Sequence, residues 1–215
     1  MAGLSRAAGI IEQGIADKLH LGAQLYVSRD GATVADLAIG EATSGVPMRP
    51  DHLMLWMSSV KPVTAVAIGQ MWEQGRLGLD DKVAQHIPEF RTKGKEPITI
   101  RHVMTHTGGF PRAVGPWTYD PVGMRDRTFN LSLDRGLGFV IDSKHHGAGS
   151  AWYGSHCSPR TFGHSGYVSS SSFADPQHRV VVAIVFNGML DASAAKHDAR
   201  ITAALNAVYE ELGLA

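Results

Sequence analysis

The sequence contains a single cysteine, Cys157, and therefore cannot form an internal disulfide. Its 20 basic and 20 acidic residues cancel, which gives no electrostatic reason to expect a nucleic acid or an anionic membrane as partner. No apolar run approaches the length of a membrane span, and residues 1–20 lack the continuous apolar core of a signal peptide. These absences predict a cytoplasmic protein that binds a small neutral or zwitterionic molecule.

The order of elements along the chain indicates an α+β fold. Apolar residues at helical spacing predict amphipathic helices at residues 4–19 and 192–212. Apolar or alternating segments around turn residues predict two β-hairpins, with strands at residues 24–28, 33–40, 166–174 and 180–187. The predicted architecture is an antiparallel β-sheet flanked by N-terminal and C-terminal helices.

The middle of the chain is predicted to be helical and irregular. Thr99 is expected to cap a short helix at residues 100–106, and residues 137–142 to form a further strand. Residues 110–130 combine little periodicity with several prolines and glycines, which predicts a loop.

Residues 56–72 combine a serine and a lysine in a pattern typical of nucleophilic catalysis. Ser58 lies three residues before Lys61 at the predicted start of a buried helix, where residues at this spacing share a face. A neutral lysine can accept the hydroxyl proton, but its ordinary pKa of about 10.4 must fall by roughly 3 units for this at pH 7. Burial and the positive end of a helix dipole both lower a lysine pKa. Ser58 and Lys61 are therefore the candidate nucleophile and base.

The spacing alone is weak evidence, because the chain repeats it. Ser193 and Lys196 have the same separation, and their polar surroundings predict the solvated face of a terminal helix. Residues 60–71 are apolar nearly all round, which is typical of a core helix and distinguishes the first pair. The alternative interpretation is that Ser58 or Ser59 only caps that helix.

Three segments together resemble the class-C-like branch of the serine β-lactamase and penicillin-binding-protein superfamily. Residues 58–61 match its S-x-x-K motif, and residues 98–110, ITIRHVMTHTGGF, resemble its I-T-I-R-H-L-L-T-H-T-S-G-L segment. Residues 162–167, FGHSGY, stand in the place of its K-T-G strand, where this branch often has H-x-G. Residues 121–129 resemble its P-L-G-M-x-D-T-x-F segment, and residues 136–142 resemble its late edge strand. The resemblance implies a serine hydrolase that acylates itself with an ester, amide or β-lactam and uses no cofactor.

The resemblance also implies roles for individual residues. Ser58 would be the acylated nucleophile and Lys61 its proton acceptor or relay. Four further positions would bind the substrate: His164, Ser165, Gly166 and Tyr167. The backbone N–H groups of Ser58 and Tyr167 would form the oxyanion hole, while His164 and Ser165 would contact a carboxylate or carbonyl. Gly166 occupies a strand position at which a substrate backbone can approach closely.

The chain departs from the family pattern in its helical part. Only residues 111–120 and 130–135 stand where relatives carry a tyrosine motif and a long helical stretch. Tyr119 is the one tyrosine in the first interval, and it is either the third catalytic residue or an incidental loop aromatic. We expect one domain, residues 1–215, whose residues 58–135 form a truncated helical portion. Its apolar surface beside the Ser58 helix would then be exposed, which predicts a homo-oligomer or else poor solubility.

Histidine spacing suggests an alternative metal site. His102 and His106 have the spacing of a zinc pair, but Val103 stands where a metalloprotease helix requires glutamate. Two loop histidines, His145 and His146, together with His156, could complete such a site. The preferred interpretation is that no metal is bound and that His106 is a structural hydrogen-bonding residue.

Two functional hypotheses follow from these patterns. The first is the serine hydrolase described above. The second is a family remnant that keeps the sheet but, without its tyrosine and helical cover, binds a ligand or partner with little turnover. The intact motifs at Ser58 and at residues 162–167 favour the hydrolase, and the missing segments favour the remnant.

Overall fold

The computed structural model describes residues 3–109, 125–126, 131–167 and 169–215, with backbone alone at 125–126 and 131–132. The chain divides into two compact units. The first comprises residues 1–60 and 151–215, and the second comprises residues 61–150. The expectation of a single domain with a truncated helical portion stays a prediction.

The secondary structure alternates between the two units along the chain. The helices are α1 (Ser5–Ala16), α2 (Lys61–Glu73), α3 (Val83–His86), α4 (Ile100–Met104) and α5 (Ala194–Glu211). The strands are β1 (Gly22–Arg29), β2 (Ala32–Thr43), β3 (Val46–Pro47), β4 (Arg125–Asp126), β5 (Leu131–Ser132), β6 (Val140–Ile141), β7 (Phe162–Gly166), β8 (Ser170–Asp175) and β9 (Val180–Asn187). Short 3₁₀ turns lie at Met57–Val60, Pro88–Arg91, Lys144–His146 and Ala148–Ser150.

The first unit is an antiparallel sheet packed against its two helices. Its strands lie in the order β3-β2-β1-β9-β8-β7. Leu25 and Val27 of β1 are buried on one face, as the period of two in a strand requires. Ile11 of α1 and Leu205 of α5 are buried as well, and the two helices contact each other. The α+β fold predicted from the order of elements is therefore confirmed.

The β1–β2 hairpin was predictable from its Asp-Gly pair. Asp30 and Gly31 have φ of +54° and +79°, the left-handed conformations that a two-residue hairpin turn uses. The predicted hairpin of residues 166–174 and 180–187 is confirmed as β8 paired with β9, but its first strand starts later than predicted, because β7 ends at Gly166 and β8 begins at Ser170. The backbone N–H of Ser169 donates to the carbonyl of Gly166 at 3.2 Å and closes a tight turn between the two strands.

The second unit begins with α2, whose predicted burial is wrong. Gly75 follows the helix with φ of +65° and donates its N–H to the carbonyl of Trp72, as a C-terminal glycine does. Ala65 is the buried residue of α2, whereas Val63 is 71% exposed and Trp72 49% exposed. An apolar sequence predicts a core helix only if neighbouring segments cover all its faces, and the described residues cover only the Ala65 side.

The remaining elements of this unit are short. The hydroxyl of Thr99 accepts the N–H of His102 at 3.2 Å, which confirms the predicted cap, but α4 ends at Met104 instead of His106. His106 has φ of +59°, which a helix cannot continue. Strand β6 spans only Val140–Ile141 of the predicted residues 137–142, because Gly138 has φ of +78°.

The predicted loop at residues 110–130 lies outside the described residues except at Arg125–Asp126, which forms β4 and pairs with β5.

Among the described residues, no helix combines the length and the apolar character that crossing a membrane requires.

Candidate active site

Ser58 lies in a short helical turn directly before α2. It is the second residue of the 3₁₀ turn Met57–Val60, and the N–H of Ser59 donates to the carbonyl of Trp56 at 3.1 Å. Met57 has φ of +51°, a left-handed conformation that costs a residue with a side chain about 1–3 kcal/mol. Such strain persists only where surrounding contacts impose it, so the segment directly before Ser58 is held by its neighbours.

The neighbouring serine, Ser59, supplies those contacts. It is buried, and its hydroxyl donates to the carbonyl of His164 at 3.1 Å and lies 2.9 Å from the hydroxyl of Ser170. Ser170 in turn donates to the carbonyl of Trp56 at 2.7 Å. The hydroxyl of Ser172 donates to the carbonyl of Ser59 at 3.3 Å. Ser59 therefore anchors the turn to β7 and β8, and its hydroxyl is not a helix cap.

Gly166 allows the turn to lie directly on β7. A Cβ atom at this position would lie 2.5 Å from the carbonyl oxygen of Trp56 and 2.9 Å from the Cβ of Met57. Any larger residue would push the turn away. Ser58 and Tyr167 follow the contacting residues Met57 and Gly166 in sequence, so the predicted oxyanion pair belongs to two segments that touch.

The side chains of β7 divide between the two faces of the sheet. His164 shares the face of Gly166, is 4% exposed, and donates from Nδ1 to the carbonyl of Ser165 at 2.7 Å. Ser165 lies on the opposite face, where its hydroxyl donates to that of Ser171 at 3.5 Å. Of the two predicted substrate contacts, His164 is on the face of the Ser58 turn, and the hydroxyl of Ser165 is not.

Lys61 is the first residue of α2 and follows the turn without a break. Burial lowers the pKa of Lys61, and the positive charge of Arg135 lowers it further. Both effects disfavour the charged ammonium, so they act in the direction that a lysine base requires.

The segment that carries Arg135 packs closely against α2, which explains why Arg135 affects the pKa of Lys61. A Cβ atom on Gly138 would lie 2.4 Å from the Cβ of Ala65, and Gly138 donates its N–H to the carbonyl of Met104 at 2.7 Å. Ala65 is one helical turn beyond Lys61 on the same side of α2. The segment from Arg135 to Gly138 therefore lies along the face of α2 that carries Lys61.

Comparison with known proteins identifies the family. The family model described as "Beta-lactamase" matches residues 7–121 and 116–207. The chain belongs to the beta-lactamase family. The resemblance predicted from the sequence motifs is thereby confirmed.

Two curated relatives of this beta-lactamase family member are an esterase and a penicillin-binding protein. Esterase EstB of Burkholderia gladioli is 34% identical over 144 residues, which cover 59% of this chain and 36% of the esterase. Penicillin-binding protein 4* of Bacillus subtilis (strain 168) is 32% identical over 101 residues, 45% of this chain and 22% of the relative. The chain thus spans about a third or less of the length of these relatives.

Solved structures agree on the fold. A penicillin-binding-protein homologue from Caulobacter crescentus superimposes with a TM-score of 0.73 at 18% identity, covering 96% of this chain and 97% of that one. A family VIII carboxylesterase superimposes with a TM-score of 0.60 at 15% identity, covering 96% and 98% of the two chains. At these identities the likeness establishes the fold alone.

Sequence reasoning about this beta-lactamase family member missed Arg135. Its available signal was its place directly before residues 136–142, a segment already noted for its resemblance to the family. Nothing local marks it as a neighbour of Lys61, because the two residues are far apart in sequence. Tyr119, the candidate third catalytic residue, lies outside the described residues, and its role stays a prediction.

His102, a candidate zinc ligand, and the single cysteine have local structural roles. Nδ1 of His102 accepts the N–H of Thr99 at 3.1 Å, so this side chain completes the cap of α4. Cys157 is buried, and its thiol donates to the carbonyl of Gly154 at 3.4 Å. These contacts fit structural roles for both side chains.

Proposed function

We propose that this protein is a serine hydrolase that forms an acyl-enzyme on Ser58 with an ester, amide or β-lactam. One observation carries the proposal: Ser58 sits in a strained turn pinned to β7, three residues before a lysine whose pKa is lowered. A serine is a weak nucleophile until a neighbouring base takes its proton, and a lysine with a lowered pKa can do so.

The proposed reaction has two steps. Ser58 Oγ attacks the carbonyl carbon of the substrate while its proton passes to Lys61. The carbonyl oxygen becomes an oxyanion, which accepts hydrogen bonds from the backbone N–H groups of Ser58 and Tyr167. The tetrahedral intermediate then breaks its bond to the alcohol or amine, which takes the proton held by Lys61 and departs, or stays attached to the acyl group when the substrate is a β-lactam. Water finally hydrolyses the ester on Ser58 and regenerates the hydroxyl.

The strand β7 would border the substrate in this proposal. The turn before Ser58 fills the space beside Gly166, so Gly166 holds the turn against β7 and leaves no room for a substrate backbone on that face, which His164 shares. Ser165 would contribute its backbone instead of its hydroxyl, because that hydroxyl is on the other face. The relatedness to EstB, named an esterase, supports esters as the first substrates to test.

The alternative function is that of a family member that binds a ligand with little turnover. It is favoured by the few residues, 111–120, that stand where relatives carry the tyrosine motif. Tyr119 is the candidate for the third catalytic group. If it does not serve, we expect slow turnover and a long-lived acyl-enzyme.

Labelling with a fluorophosphonate probe, followed by intact-mass analysis, tests the proposal. The wild type should gain one label, Ser58→Ala should gain none, and Ser193→Ala should label at the wild-type rate. A label that persists in Ser58→Ala contradicts the assignment. If neither the probe nor a penicillin forms an adduct with the wild type, the binding-protein alternative holds.

Assembly, location and partners stay predictions of the same proposal. The exposed apolar residues of α2, including Val63 and Trp72, support the expectation of a homo-oligomer. A cytoplasmic location, the absence of nucleic-acid or membrane partners, and a reaction without cofactor follow from the sequence and the resemblance only.

A further inference from the structure

A cluster of metal-ligating side chains lies in the second unit, apart from the residues proposed for catalysis. Nε2 of His146 lies 3.0 Å from Oδ1 of Asp134, and Nε2 of His145 lies 3.2 Å from Oδ2 of the same carboxylate. One ligand atom from each of the three residues lies within 4.8 Å of the other two. A single carboxylate thus faces two adjacent imidazoles.

The backbone that carries this cluster is held by Ser143, which is buried. The hydroxyl of Ser143 accepts the N–H of Asp134 at 2.8 Å and donates to the carbonyl of Ile141 at 2.7 Å. Its carbonyl accepts the N–H of His146 at 2.9 Å. The two segments that bring the ligands together are therefore joined by hydrogen bonds that need no metal.

The cluster is open to solvent. The side chains of Asp134, His145 and His146 are 37%, 60% and 33% exposed. The intervening Lys144 directs its ammonium to Asp142, at 2.9 Å, where the buried carboxylate balances its charge. An ion can enter from solvent, and water can complete its coordination.

Ion pairing alone is a poor explanation for this arrangement. The rings of His145 and His146 have their centroids 4.0 Å apart, so two protonated imidazoles would repel each other in front of a single negative charge. Neutral imidazoles and a carboxylate are instead a ligand set that suits zinc and neighbouring first-row divalent ions. Zinc bonds of about 2.0–2.2 Å to nitrogen and oxygen place adjacent ligand atoms about 3–3.5 Å apart. The nitrogen–oxygen distances of 3.0 and 3.2 Å, each to a different oxygen of Asp134, fall in this range.

We propose that Asp134, His145 and His146 form a binding site for Zn²⁺. Binding replaces the two contacts between imidazole and carboxylate by three bonds to the ion, and each neutral imidazole exchanges its Nε2 proton through solvent for one on Nδ1, so that Nε2 becomes the ligand and the ring stays neutral. The ion would join the segment at Asp134 to the 3₁₀ turn Lys144–His146, and water would fill the remaining positions. This replaces the sequence-based preference for no metal, and it does not depend on the hydrolase proposal.

Another histidine, His156, provides a matched control. His156 also faces an acid, since its Nε2 lies 3.4 Å from Glu210, but it has no second imidazole beside it in the described residues. The stretches of chain outside the described residues contain no histidine. Zinc bound through imidazole can therefore be assigned by substituting described residues.

Calorimetric titration of the chelator-treated full chain with ZnCl₂ tests the site, with Co²⁺ absorption spectra as a second readout. The wild type should bind one ion, and His145→Gln, His146→Gln and Asp134→Asn should each weaken binding at least tenfold. His156→Gln should bind as the wild type does. Circular dichroism of the metal-free variants checks that each still folds, which is expected of exposed positions.

Three outcomes overturn the proposal. They are a wild type that binds no Zn²⁺, wild-type affinity in both His145→Gln and His146→Gln, and an equal loss of affinity in His156→Gln. If one cluster variant misfolds, the remaining two decide the question. Labelling of Ser58 is measured separately, so failure of the metal site and failure of the hydrolase proposal are distinguishable.

Discussion

Two pairs of residues with the same spacing have opposite surroundings in this protein. Ser193 is the N-cap of α5 and accepts the N–H of Lys196 at 3.4 Å, so its oxygen is used in a helix end. Nζ of Lys196 donates to Oδ2 of Asp191 at 2.7 Å, and this hydrogen bond raises the pKa of Lys196. Burial and Arg135 instead lower the pKa of Lys61.

The spacing of a serine and a lysine therefore does not define a nucleophile. A lysine that is held protonated by a carboxylate cannot accept a proton, whereas one that is half-buried beside a second cation loses its proton more readily. The sequence-based interpretation of Ser193 and Lys196 as the solvated face of a terminal helix is confirmed.

Replacement of the two lysines by arginine should have very different consequences. Lys61→Arg keeps a positive charge but cannot supply a neutral base, so acylation of Ser58 should slow at least about a hundredfold. Lys196→Arg can still pair with Asp191 and should acylate at the wild-type rate. Rapid-quench labelling measures both, and wild-type acylation by Lys61→Arg would show that this lysine is structural.

The close approach of the Ser58 turn to β7 is tested with Gly166→Ala. The added Cβ would lie 2.5 Å from the carbonyl oxygen of Trp56, so the turn must move, and Ser58 labelling should fall at least about tenfold. Gly9→Ala in α1 is the matched control, because a Cβ there meets nothing within 4 Å. Circular dichroism shows whether both variants fold, and undiminished labelling of a folded Gly166→Ala would contradict the proposed contact.

Removal of the charge of Arg135 should shift the pH dependence of acylation. Arg135 lowers the pKa of Lys61, so in Arg135→Gln that pKa should rise. Because acylation requires neutral Lys61, its rate should increase with pH through a midpoint that moves upward by about one pH unit or less. Arg135→Lys retains a positive charge and should shift the midpoint less, while an unchanged profile in Arg135→Gln would exclude this electrostatic role.

The smallest effect is expected for the capping serine. Ser193→Ala removes the oxygen that accepts the N–H of Lys196, which should cost about 1 kcal/mol in the free energy of unfolding and leave labelling unchanged. Ser193→Asp restores a capping oxygen and should recover the stability. Urea denaturation measures both, and equal stability of the alanine variant and the wild type would mean that the cap contributes little.

Features that depend on neighbouring residues were determined by the sequence itself. The Asp-Gly turn at Asp30 requires positive φ at two residues, and only a few residue types supply it at low cost. Thr99 caps α4 because its hydroxyl reaches an N–H three residues later. The family motifs are equally local, and so the fold class, the family and the candidate pair Ser58 and Lys61 could be named from the sequence.

Features that depend on distant residues were decided only by the tertiary structure. Ser59 and Ser58 are adjacent and chemically identical, and only the hydrogen bond to His164 shows which of them is the anchor. The effect of Arg135 on Lys61 and the cluster of Asp134 with His145 and His146 likewise arise from chain reversals that bring separated side chains together. Burial of α2 was predicted wrongly for the same reason, because hydrophobicity belongs to a residue whereas burial depends on the segments that pack around it.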